Sequence, residues 1–138
     1  MLGLGVTGSA VLRALVAKHG SANAERSAEE RIVEDARRYL RMRYSEPVRL
    51  ANVAELCGVS TFRLIRVFRR AVGVSPYKYL VQLRVNRAQS MLCAGASVSD
   101  VAYACGFSDQ SHLTRTFKRA VGVPPGQYVR SVTAPLAG

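Results

Sequence analysis

Asp109, Ser111 and His112 bring a carboxylate, a hydroxyl and an imidazole together within four positions. These are the parts of a hydrolase triad, which needs the hydroxyl within hydrogen-bond reach of the ring. Consecutive residues on a helix point about 100° apart, so Ser111 and His112 are badly set as nucleophile and base. No catalytic residue is assigned there. Cys57, Cys93 and Cys105 are odd in number and form no Cys-x-x-Cys pair. That pattern argues against a zinc site or a disulfide framework and for a reducing, cytoplasmic setting. No metal ligand and no cofactor is expected.

Arginine is the remaining chemically useful type. The 138 residues hold 20 Lys+Arg against 9 Asp+Glu, a net charge of +11. From Leu56 onward eleven basic residues accompany only Asp100 and Asp109, whereas residues 1–55 hold nine basic and seven acidic residues. Such an excess suits a polyanion, either nucleic acid or an anionic membrane surface. Guanidinium groups pair bidentately with guanine O6 and N7, and further Lys and Arg neutralise phosphates. A wholly disordered basic tail is excluded, because 49% of the chain is hydrophobic. The apolar stretches fall short of the roughly 18 residues a membrane span needs. The run from Leu2 to Ala17 is broken by Arg13 and lacks the basic start of a signal peptide.

Positioning these arginines falls to an internal repeat. Leu50-Ala51-Asn52-Val53-Ala54-Glu55-Leu56-Cys57-Gly58-Val59-Ser60 aligns with Val98-Ser99-Asp100-Val101-Ala102-Tyr103-Ala104-Cys105-Gly106-Phe107-Ser108 at a spacing of 48. The spacing becomes 49 where Leu64 to Pro76 aligns with Leu113 to Pro125, so one residue is added between Ser108 and Leu113. Two copies indicate a paired module rather than a solenoid. Each copy reads as helix, tight turn, helix. Gly58 and Gly106 supply the left-handed residue of the turn, and Ser60 and Ser108 follow as caps of the second helix. Cys57 and Cys105, beside those glycines, are expected to be small core residues.

The other elements follow from similar signals. Ser27-Ala28-Glu29-Glu30 has the form of a capping box, and Ile32, Val33, Ala36 and Leu40 continue at helical spacing until a stop before Pro47. Ser75-Pro76 opens a linker helix with an apolar stripe of Leu80, Leu83, Ala88, Met91 and Leu92, closed by Gly95. Its length is roughly 27 Å. Ser97 with Asp100 starts the second unit. No long apolar–polar alternation marks a strand, so the fold class is all-α.

At about 100° per residue, Leu64, Val67, Phe68 and Ala71 form the core side of the first unit's second helix. Phe62, Arg66 and Arg69 lie opposite, with Arg63 and Ile65 on the flanks. In the second unit Leu113, Phe117 and Ala120 form the core side; Ser111, Arg115 and Lys118 lie opposite, and Gln110 sits near the tip. Phe62 and Ile65 either pack on a neighbouring helix or contact thymine methyl groups.

Residues 28–130 resemble the DNA-binding domain of the AraC/XylS family of bacterial transcription regulators. The resemblance rests most on Ala102 to Ser111, on Leu113 to Lys118, on Gly122-Val123-Pro124-Pro125 and on Tyr128. It implies about seven helices: a first helix-turn-helix unit over about 28–74, a linker helix over about 75–94 and a second unit over about 96–130. Residues 1–27 would be a leader or the stub of a preceding domain, and residues 131–138 a tail. It also implies two recognition helices in successive major-groove segments. Phe62, Ile65, Arg66, Gln110, Ser111, His112 and Arg115 fall at base-contact positions, and Arg63, Arg69 and Lys118 suit phosphates. The implied partners are double-stranded DNA and RNA polymerase, with no membrane; a homodimer stays open. The function expected is sequence-specific DNA binding that regulates transcription, without enzymatic activity. The alternative is a non-specific or architectural DNA binder. Two departures stand out: Arg49 replaces a hydroxyl cap, and Ile65 replaces a polar residue.

Overall fold

The computed structural model describes the backbone of residues 2–134 and the side chains of residues 20–134. The described residues form seven α-helices: α1 (Leu2–Arg43), α2 (Leu50–Leu56), α3 (Thr61–Val72), α4 (Pro76–Cys93), α5 (Val98–Ala104), α6 (Gln110–Val121) and α7 (Pro125–Thr133). No strand occurs among them, as the missing alternation predicts.

Side-chain caps fix most helix starts. The hydroxyls of Ser60, Ser75 and Ser97 accept the backbone N–H groups of Arg63, Lys78 and Asp100, each at 3.1 Å. Pro76 enters α4 at its first turn, where no backbone donor is needed. Arg49 precedes α2 without a side-chain cap bond, as its side chain would dictate.

Three expectations about ends and faces are corrected. Ser27 does not open a helix, since α1 runs unbroken through it. Residues 21–30 are rich in Ala and Glu and contain no proline, so a local capping pattern does not interrupt a stretch that favours helix throughout. In the second unit the cap of α6 is Asp109 rather than Ser108, its carboxylate accepting the His112 N–H at 2.6 Å. The residue added to this copy shifts the helix start by one. Ala71 and Ala120 are exposed. Val72 and Val121, partly buried, supply the last apolar contact of α3 and α6 instead. Ala71 borders an open groove between α1 and α3 that also touches Val33 and Val67.

The two units are built alike, each with its own core. In the first, Ile32, Val33, Ala36 and Leu40 of α1 meet Val53, Ala54, Leu64, Val67, Phe68 and Leu80. In the second, Val85, Ala88 and Leu92 of α4 meet Val101, Ala102, Cys105, Phe107, Leu113 and Phe117. Helix α4 therefore closes the first unit with its start and opens the second with the rest. An edge-to-face aromatic pair repeats across the duplication. Phe68 meets Tyr79 at 5.5 Å and Phe117 meets Tyr128 at 5.4 Å between ring centroids.

Candidate nucleic-acid interface

Helices α3 and α6 each lay one side on a core and leave the other to solvent. Leu64, Val67 and Phe68 anchor α3, and Leu113 and Phe117 anchor α6. The turn before each is set by a left-handed glycine, Gly58 at φ 71° and Gly106 at φ 85°. The chain is tied down there by Val59 N–H to the Ala54 carbonyl and Phe107 N–H to the Ala102 carbonyl, both at 3.0 Å. These turns aim the N-terminal ends of α3 and α6 outward.

On α3, Phe62 and Arg66 are exposed, and Phe62 is 74% accessible. The reading of Phe62 as a packing residue is thus excluded. Its ring instead carries the Arg66 guanidinium at 5.9 Å from the centroid, a cation–π contact across one helical turn. Ile65 is half-buried, between core and surface. Arg69 is free to solvent, whereas Arg63 is half-buried and lines a crevice with Arg31, Asp35 and Cys57. Arg70 is paired with Glu29 of α1.

On α6, Gln110, Ser111, Arg115 and Lys118 are all exposed. His112 is placed differently. Its Nδ1 accepts the Ser108 N–H at 3.2 Å and lies 3.2 Å from the Ser108 hydroxyl, while the ring meets Phe107 edge-on at 5.3 Å. With Nδ1 accepting a backbone N–H, the neutral ring carries its proton on Nε2. Asp109 bonds the His112 backbone and not its ring, so the three triad-like residues form a helix cap and a turn brace. Among the described residues no group of three or more His, Cys, Asp or Glu is placed to hold a metal ion. No described helix is long and apolar enough to cross a membrane.

Two features, one exposed and one buried, escaped the sequence reading. Tyr103 of α5 is 88% exposed; its position matches Glu55 in the repeat, and nothing in periodicity separates it from a partly packed aromatic. Arg84 of α4 is buried, the one charged side chain so placed among the described residues. Its interruption of the apolar stripe was visible, but its partners lie about 40 positions away in the chain.

Comparison with known proteins places these features in context. The sequence profile of a family described as "Helix-turn-helix domain" matches residues 53–131. An uncharacterised HTH-type transcriptional regulator, YbfI of Bacillus subtilis, is 41% identical over 75 residues, which is 54% of this chain and 27% of YbfI. The chain thus spans about a quarter of the length of the curated relatives it matches. Among solved structures, the C-terminal domain of AraT, a response regulator from Geobacillus stearothermophilus, superposes with a TM-score of 0.72 at 29% identity, covering 78% of this chain and 90% of that one. The DNA-binding domain of the global transcriptional factor AdpA, solved with a target DNA, gives a TM-score of 0.70 at 27% identity, covering 74% and 93%.

Proposed function

The chain belongs to the AraC-type helix-turn-helix family, and on that premise we propose that it regulates bacterial transcription by reading a specific duplex with two recognition helices. The observation that carries this reading is the pair α3 and α6. Each is held on its own core by the same turn geometry, and each exposes an arginine, Arg66 and Arg115, at the same position of the repeat. A major groove admits one α-helix, and arginine is the commonest specific contact to guanine there. Helix α4, 18 residues long and so about 27 Å, separates the units on a scale close to the roughly 34 Å helical turn of DNA.

In this reading Arg66 and Arg115 contact guanine edges, and Phe62 and Ile65 meet thymine methyl groups, with Phe62 also backing the Arg66 guanidinium. Gln110 and Ser111 reach bases from the exposed tip of α6. His112 offers its Nε2–H, since Nδ1 is occupied by Ser108. Arg69 and Lys118 neutralise phosphates, and Arg63 does so from the rim of its crevice. Residues 28–130 form the DNA-binding part, with RNA polymerase a further partner and the cytoplasm the site of action. No enzymatic step is assigned.

Selection of bound sequences from a random duplex pool, at two salt concentrations, tests this. The expected result is two defined half-sites in adjacent helical turns at both concentrations. A pool that stays random while still binding tightly at low salt would overturn the specific reading in favour of an architectural binder.

A further inference from the structure

The buried faces of α1 and α4 have the same spacing. Ile32, Val33, Ala36 and Leu40 on α1 correspond to Arg84, Val85, Ala88 and Leu92 on α4. Arg84 therefore occupies the register of an isoleucine, yet it is only 7% exposed. Burying a guanidinium is costly unless its donors are satisfied. Here Nε donates to the Tyr44 carbonyl at 2.7 Å and Nη2 to the Glu46 carbonyl at 3.0 Å. Both acceptors lie just past the end of α1, where the carbonyl end of a helix favours a cation. Burial lowers the Arg84 pKa, but the side chain stays charged.

This clasp touches both units. Residues 44–46 belong to the first unit, and they press against the turn glycine of the second. A Cβ on Gly106 would come within 2.6 Å of the Tyr44 carbonyl oxygen, 3.0 Å of Arg84 Nε and 3.2 Å of the Ser45 carbonyl carbon. At the matching Gly58 a Cβ would meet nothing within 4 Å. The same turn is thus open in the first unit and occupied by the other unit's loop in the second. The main helix–helix packing otherwise stays within one unit or the other, joined by the shared α4.

We propose that Arg84 is a positioning residue that sets the angle between the two helix-turn-helix units and so the half-site spacing the protein accepts. A shared helix alone lets each unit rock on its own packing. Two hydrogen bonds to carbonyls of the first unit, closed over the turn of the second, remove that freedom. The spacing role rests on the two-groove reading above; the rigidity does not.

The test uses the whole chain with Arg84→Met, similar in length but unable to donate, and Arg84→Lys, which keeps the charge but not the planar fork. Residual dipolar couplings of the free, isotopically labelled protein report the relative order of the units without DNA. Wild type is expected to fit one alignment tensor over both units, and each variant to need two. Because Lys keeps the charge, it serves where Met prevents folding. The duplex recovered from the pool is then offered at its native spacing, with spacers changed by one and two base pairs, and as single half-sites. The variants should keep half-site affinity within about twofold. They should lose about tenfold or more on the two-part site, with spacing preference flattened. One tensor in a folded variant overturns the clasp, whatever the DNA does. Two tensors with an unchanged spacing preference overturn its role in recognition. Two tensors with no recoverable duplex uphold the clasp and count against the DNA reading alone.

Discussion

Arg66 and Arg115 are each expected to contribute about 1–3 kcal/mol of base discrimination, so Arg66→Ala and Arg115→Ala should relax specificity at one base pair each. Competition binding with single-substituted duplexes checks this; full discrimination in both variants would show the assigned faces to be wrong. Phe62 adds a refinement to Arg66. A guanidinium resting on an aromatic face has fewer orientations to lose on binding, so Phe62→Ala should weaken discrimination at the same base pair that Arg66→Ala affects. Lys118→Ala should behave differently, weakening all duplexes alike and lowering the salt dependence by about one unit. The exposed arginines were legible from helical angle alone. The bond from His112 back to Ser108 was not, because a wheel places a side chain on a face without saying what lies across the turn.

Helix starts and turns carry the next set of expectations. Asp109 caps α6 through its carboxylate, and Asp109→Ala should cost about 1 kcal/mol of stability, seen as a lower urea midpoint. The two turn glycines should respond unequally. Gly58→Ala meets only the backbone cost of a left-handed residue, about 1–2 kcal/mol. Gly106→Ala adds a clash with the Tyr44 carbonyl oxygen at 2.6 Å, a backbone atom that cannot simply rotate away, so it should destabilise clearly more in the same urea experiment. Equal losses would mean that the loop over residues 44–46 does not press on Gly106. From sequence the glycines looked interchangeable, since both are demanded by the same turn. The one-residue shift of the α6 cap lay in the added residue, but only the geometry of Asp109 shows which oxygen takes the free N–H.

For the molecule as a whole, charge and burial set the expectations. With eleven more positive than negative charges, affinity for the selected duplex should fall steeply with salt, by a log–log slope of about −0.9 for each phosphate neutralised. A scrambled duplex should share most of that slope at lower affinity, read by fluorescence anisotropy across a salt series. The cysteines report the packing. Cys93 is exposed, whereas Cys105 is fully buried, with its thiol pushed up by that burial, and Cys57 is intermediate and raised for the same reason. Alkylation of the native protein should therefore modify Cys93 first and Cys105 last, followed by mass spectrometry.

Taken alone, the chain's residues determined the all-helical class, the duplicated unit, the turn glycines, most caps and the outward arginines. The duplication shows when the chain is aligned with itself at 48 to 49 positions; each of the others follows from a rule acting within about a dozen positions: helical periodicity, capping chemistry or left-handed backbone. The tertiary structure alone decided that Ala71 and Ala120 face solvent and that Arg84 is buried on the carbonyls of Tyr44 and Glu46. Those outcomes depend on which distant segment covers a given face. A buried guanidinium is stable only where carbonyls some 40 residues away are brought to meet it, and no local pattern carries that information.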